Sequence, residues 1–259
     1  MRARSQRGFA LLAVLWVVAL LAIIAIAMSA AMVATSRIDR TAWTLARTET
    51  IADAAVNRTV LALLDTRPGA QGRVDGVERD VTFDGVKTRV WVQDEAGKID
   101  LNTADKTVLA SLFARSGLGQ SQADALADDI AKVRDGRAPA VAFRTVDELR
   151  SRPGVSARLF ARIAPLATVY SHNAGVDQSV APRAVLLVLP DMDAAKADLL
   201  LSQRNDAYAK GTPQAVDIGA GRAFMISAEV DLENVRFVRQ AVVQMTGDKD
   251  KPFWFVSWQ

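Results

Sequence analysis

The chain has 259 residues, half of them hydrophobic, a net charge of +3, no cysteine and a single histidine, His172. That length holds a membrane anchor plus one or two compact domains. The composition excludes disulfide staples and thiolate metal sites, leaves histidine-based catalysis or multi-histidine metal binding little to draw on, and gives weak attraction for a polyanion.

Residues 1–7 carry Arg2, Arg4 and Arg7 and no acid, and from Phe9 to Ala34 there is no charge and one polar side chain, Ser29. A helix of these 26 residues comfortably spans a hydrocarbon core of about 30 Å. The arginines in front place the N-terminus in the cytoplasm and the rest of the chain across the membrane. Three readings compete. A cleaved secretory signal has small-residue sites near Ala27 and Ala31, but its apolar region is shorter than this run. A plain signal anchor is the second reading. The third reading is a leader that ends at Gly8, with Phe9 as the new N-terminus.

Beyond the membrane the helical pattern continues. Ile38, Ala42, Leu45, Ala52, Val56, Thr59 and Leu63 recur at helical spacings, with Arg37, Asp39, Arg40, Arg47 and Glu49 on the other face. The spacing predicts one helix from Phe9 to about Leu64, or two in succession, terminated at Thr66-Arg67-Pro68-Gly69. Glu78 to Phe83 and Lys87 to Gln93 alternate as strands around Asp84-Gly85, a type I′ hairpin signal. Arg222 to Val230, Arg236 to Met245 and Phe253 to Trp258 read as three more strands, joined by Asp231-Leu232-Glu233-Asn234 and by Gly247-Asp248-Lys249-Asp250. Between the β segments lies a helical stretch from about Asn102 to Ala209. The expected fold is α+β: a long N-terminal helix packed on an antiparallel sheet, with an α-helical subdomain inserted between its second and third strands.

The insert contains a diffuse repeat. Asp100 to Leu112 echoes Asp177 to Leu189, each followed by a helix, Ala123 to Arg134 and Ala194 to Arg204. Asn102 or Thr103, and Ser179 in the second copy, are the expected N-caps. Gly117-Leu118-Gly119 between two helices, with a further turn at Pro153-Gly154-Val155-Ser156, is similar to helix-hairpin-helix modules, whose turn amides bind a DNA phosphate. From Lys98 to Tyr170 there are eleven bases and eight acids. The sequence after the turn, Gln120 to Asp124, holds no lysine or arginine, so a scaffold role is expected over nucleic-acid binding. Asp94-Glu95, Asp191 with Asp193, and Asp248 with Asp250 lack the spacing of a calcium loop and are expected to be solvated turns. No cofactor or metal is expected, though calcium stays open because its oxygens can come from distant residues. Trp254, Phe255 and Trp258 are expected in the sheet core. No constellation supports catalysis.

The segment from Gln6 to Ala27 resembles a prepilin-type leader and its apolar helix. The resemblance implies cleavage between Gly8 and Phe9 by prepilin peptidase and methylation of the Phe9 amine. Most members of that class carry glutamate where this chain has Ala13. Such a carboxylate sits inside the bilayer at about 2.5–3.5 kcal/mol or more and pairs with the amine of the subunit ahead; a tip subunit has none ahead. Together with the hairpin, the string Asp94 to Ala104, the helical insert, Tyr170-Ser171 and the closing β segment, this order resembles the K-type minor pseudopilins of type II secretion. The resemblance implies a non-enzymatic protein of the inner membrane with a periplasmic head. It would cap or initiate the pseudopilus with other minor pseudopilins and the major pseudopilin. The implied parts are a leader (1–8), a transmembrane helix (9–34), a periplasmic helix and hairpin (35–97), the insert (98–210) and a closing β segment (211–259). The alternative is a membrane-anchored DNA receptor using the hairpin turns.

Overall fold

A chain that is apolar on all sides for one stretch and apolar on one stripe for the next builds a helix with two jobs, and α1 (Gln6–Leu63) has that form. At 1.5 Å per residue it is about 87 Å long. The computed structural model describes residues 6–65, 67, 71–135 and 143–259, without the side chains of residues 6–10, 30, 31, 33–39 and 135. Arg2 and Arg4 of the expected leader, Thr66, Pro68 and Gly69 of the expected helix terminator, and Arg137 lie outside the described residues. Leu11 to Ser29 has a mean hydropathy of 3.1 and none of it is buried. The buried stripe opens at Thr44 and runs through Thr48, Ile51, Ala52, Ala55, Val56, Thr59, Val60 and Leu63. Ala42 and Leu45, expected on that stripe, are exposed, because the inward face of the helix is set by two threonines whose polarity hides them from a hydrophobic pattern. These are Thr44 and Thr48; the Thr48 hydroxyl donates to the Thr44 carbonyl at 2.6 Å, as Thr59, already on the expected stripe, donates to the Ala55 carbonyl at 2.7 Å.

The stripe packs on a five-stranded antiparallel sheet of order β1-β2-β5-β6-β7. Its strands are β1 (Arg79–Phe83), β2 (Val86–Asp94), β5 (Ala223–Leu232), β6 (Val235–Met245) and β7 (Phe253–Trp258). Val90 and Val92, then Phe224, Ile226, Ala228 and Val230, and then Ala241, Val243 and Met245 alternate toward α1 and form one core with it. The β1–β2 turn has both Asp84 (φ 49) and Gly85 (φ 73) in the left-handed region, as a type I′ turn requires. The β5–β6 link, expected over four residues, is a second two-residue turn. Glu233 (φ 49) and Asn234 (φ 68) make it, while Asp231 and Leu232 stay in β5, paired with Arg236 and Val235. Glutamate is an unusual left-handed residue, so only Asn234 signals the shorter turn.

The excursion between β2 and β5 has its own core, with Ile99, Leu109, Phe113, Ile130, Leu149, Ile163 and Leu186 fully buried. It contains β3 (Ile99–Asp100), α2 (Lys106–Arg115), α3 (Gln120–Asp135), α4 (Ala157–Ile163), β4 (Ala167–Thr168), α5 (Arg183–Leu186) and α6 (Ala194–Ala209). The parallel pair β3–β4 was not expected; two residues are too few to show a period. Both copies of the repeat open on the same local turn. The Asn102 amide donates to Asp100 at 2.7 Å, and the Ser179 amide donates to Asp177 at 3.0 Å. The expected N-caps are therefore displaced: α2 starts after Asp105 and α5 after Pro182. Asn102 instead clasps the backbone of Phe143 at 2.8 Å in both directions.

Gly97 marks where the excursion leaves the sheet. A β-carbon there would lie 2.7 Å from the Val180 carbonyl oxygen and 2.9 Å from the Gln93 side-chain amide. The obstacle is partly backbone, so Gly97→Ala is expected to destabilise the head by about 1–3 kcal/mol, read as a lower urea midpoint with unchanged slope.

Candidate functional site

Gly8 and Phe9 lie in the first turns of α1, and Ala13 lies on its bare apolar stretch. Every described large side chain from Leu11 to Met32 is exposed, Trp16 most of all. A helix apolar on all sides and uncovered by its own head is a surface for lipid or for other helices.

Gly117-Leu118-Gly119 joins α2 to α3. Gly117 (φ 111) takes the left-handed conformation that ends α2. Its amide donates to the Ala114 carbonyl at 3.0 Å and that of Leu118 to the Phe113 carbonyl at 3.1 Å. These two bonds form a Schellman cap, so two of the three turn amides are already engaged with protein. The expectation of no cation near this turn is corrected. Arg162 of α4, exposed, donates to the Ser116 carbonyl at 3.0 Å, and its guanidinium nitrogen lies 2.6 Å from where a Gly117 β-carbon would stand. It arrives from a distant helix, which a local reading does not see.

Asp94 and Glu95, expected to be solvated, are buried. Asp94 closes β2, accepts the Ala96 amide at 2.9 Å, and is met by Arg222 through Nε at 2.8 Å and Nη2 at 2.7 Å. The same Nη2 reaches Asp177 of the insert at 2.9 Å, and Nη1 stands 3.7 Å from Asp217. One guanidinium thus ties the end of β2, the insert and the loop before β5. Beside it Asp75 is held by Arg73 at 2.6 Å and Arg204 at 3.3 Å, and Glu95 pairs with Lys98 at 2.8 Å. A cavity of about 460 Å³ opens next to Arg222, walled by Leu200, Tyr208 and Val216. Asp191 and Asp193, and Asp248 and Asp250, are exposed; Asp193 caps α6 and Asp248 accepts the Asp250 amide at 2.9 Å. Among the described residues no three acidic, histidine or cysteine side chains are grouped to hold a metal.

Burial pushes the Asp94 carboxyl up to about 6, more than the Arg222 guanidinium and the Ala96 amide pull it down. Burial also raises Asp177 and Asp75, but there the opposing groups win and both stay below the ordinary carboxylate value. Ser179 and Arg222 hold Asp177 down, and Arg73 and Arg204 hold Asp75 down. A group whose folded pKa is raised loses stability as pH climbs from its unfolded to its folded value, here from about 4 to about 6. Asp94→Asn removes that ionisation. The variant is expected to gain on the wild type by up to about 3 kcal/mol between pH 4 and pH 7 in urea titrations of the head. A difference that stays flat with pH would contradict this account.

Trp254, Phe255 and Trp258, expected in the core, are exposed on the edge strand β7, with Trp254 at 59%. Alternation identified the strand, but α1 lies chiefly over β5 and β6, and no local pattern shows how far across the sheet the helix reaches.

A long helix, apolar for half its length and laid across an antiparallel sheet for the rest, with a helical excursion between inner strands, defines an α+β fold of the pseudopilin-like kind. No family model and no curated protein matches the chain in sequence. Among solved structures it is similar to a chain of the GspK-GspI-GspJ complex from the type 2 secretion system of enterotoxigenic Escherichia coli. That match has 12% identity and a TM-score of 0.50, and covers 87% of this chain and 97% of the other. At that identity the likeness is one of fold.

Proposed function

We propose that the chain is a non-enzymatic minor pseudopilin of type II secretion, of the K type, processed after Gly8 and N-methylated on Phe9. The observation that carries this reading is the division of α1: its first half is uncovered and apolar, while its second half is the spine of a folded head. Such a helix joins a bundle of like helices, first in the inner membrane and then in a pseudopilus, with the head on the periplasmic side. Ala13 in place of a carboxylate supports a place at the tip, with other minor pseudopilins and the major pseudopilin below. Mass spectrometry of the protein from membranes is expected to find a methylated Phe9 terminus, and an intact Met1 would overturn the class. Ala13→Glu is expected to impair tip assembly and secretion.

Arg162 beside Gly117 favours the second reading, a membrane-anchored DNA receptor. The engaged turn amides weigh against it, since a phosphate needs free donors there. DNA affinity of the head that is sub-micromolar at physiological salt and falls steeply with added salt would support that reading.

A further inference from the structure

The two edges of the sheet are built differently. β1 is five residues long, carries Arg79 and Asp80, and is flanked by the pairs Lys87–Asp80 at 2.9 Å and Arg89–Glu78 at 3.7 Å. Shortness and charge are the usual means of keeping an edge from pairing with another chain. β7, six residues long, is hardly longer but lacks the charge: from Phe253 to Gln259 there is no charged side chain. Among the described residues it pairs with β6 alone. A register break opposite Val242 and Val243 leaves Val256 as an extra residue, which keeps Phe253, Phe255 and Trp258 on the α1 side of the sheet. Their rings meet edge to face, with centroids 5.6 Å and 4.7 Å apart. Arg239 lies over Trp258 at 5.4 Å and is bound to Glu49 and Asp53 of α1 at 2.6 Å each, so this aromatic ledge is fixed beside the helix.

We propose that β7 is the docking edge for an extended strand from the head of a neighbouring, different subunit of the same assembly. The inference rests on the function proposed above. The open backbone of β7 calls for an extended partner, and the ledge calls for apolar side chains on the partner's α1-facing side. One short edge is well below the roughly 800 Å² per partner of a stable interface. The occupant must therefore hold the chain at a second place. The uncovered apolar half of α1 offers that place to a protein with a like helix, and a free peptide has nothing to put there. Such a neighbour must come to one flank of the sheet, and of the two flanks β1 is the protected one.

The test uses the full-length chain in its own membranes, with a photo-crosslinking phenylalanine analogue at Trp254 or, separately, at Thr82 on β1. The expected result is an adduct from 254 and none from 82, with the partner a different protein that has an N-methylated apolar helix, identified from its peptides. A partner that is a second copy of this chain, an adduct from 82 alone, or none from either site overturns the proposal. Phe255→Lys, and Val256→Lys as a second variant outside the ring stack, are expected to reduce the 254 adduct at least tenfold while the head melts as before. An undiminished adduct in both overturns it. A methylated Phe9 without the β7 adduct removes this inference alone; an intact Met1 removes the function on which it rests.

Discussion

Replacing Arg222 by alanine is expected to lower the stability of the head by about 3–5 kcal/mol, the cost of leaving a buried carboxylate without its partner. Asp94 has no exposed surface, and Arg222 supplies one of its two side-chain hydrogen bonds and a second ionic contact at 2.7 Å. Without the guanidinium Asp94 is driven to its neutral form, Asp177 loses a donor, and the insert keeps only its backbone tie to Ala96 and the Gln93–Val180 bond near the end of β2. For a head of this size each kcal/mol moves the melting temperature by about 2–4 °C, so the loss is readable by calorimetry. The same ion pair is a weak net stabiliser, because burial already holds Asp94 near 6. Arg222→Ala in an Asp94→Asn background is therefore expected to cost much less than in the wild type. Additive costs would show that the two side chains act independently. Arg222→Lys is expected to fall between, since one ammonium cannot span Asp94 and Asp177 as the planar fork does.

Removing residues 1–39 is expected to abolish membrane association completely and to change the stability of the head by no more than about 0.5 kcal/mol. Thr44 is the first buried side chain of α1 among those described, and Leu11 to Ser29 touches nothing in the head. The truncated chain should fractionate as a soluble protein with an unchanged urea midpoint. A head that unfolds without its first half would mean that the apolar stretch packs on it after all.

These two results depend on features that the sequence discloses unequally. The length of α1, the Asp84-Gly85 turn and the place of the insert all rest on local rules: helical period, left-handed propensity and strand alternation. Each could be read from neighbouring residues. Asp94 looked like a surface acid because its burial depends on Arg222, which lies far along the chain on the other side of the insert. Arg162 reaches Gly117 only when α4 folds back. Trp254, Phe255 and Trp258 were readable as a strand, whereas their exposure depends on how far α1 reaches across the sheet. The candidate site was thus legible where it is a property of one segment and hidden where it is a meeting of several.

Asp94 and Phe224 face each other as neighbours in the β2–β5 ladder, yet they bracket the whole helical excursion. The register of the five-stranded sheet therefore does not depend on the length of the chain between them. The excursion can thus change in length away from the sheet while α1 and the sheet keep their shape, provided the contacts of Asp177, Val180 and Arg204 are kept.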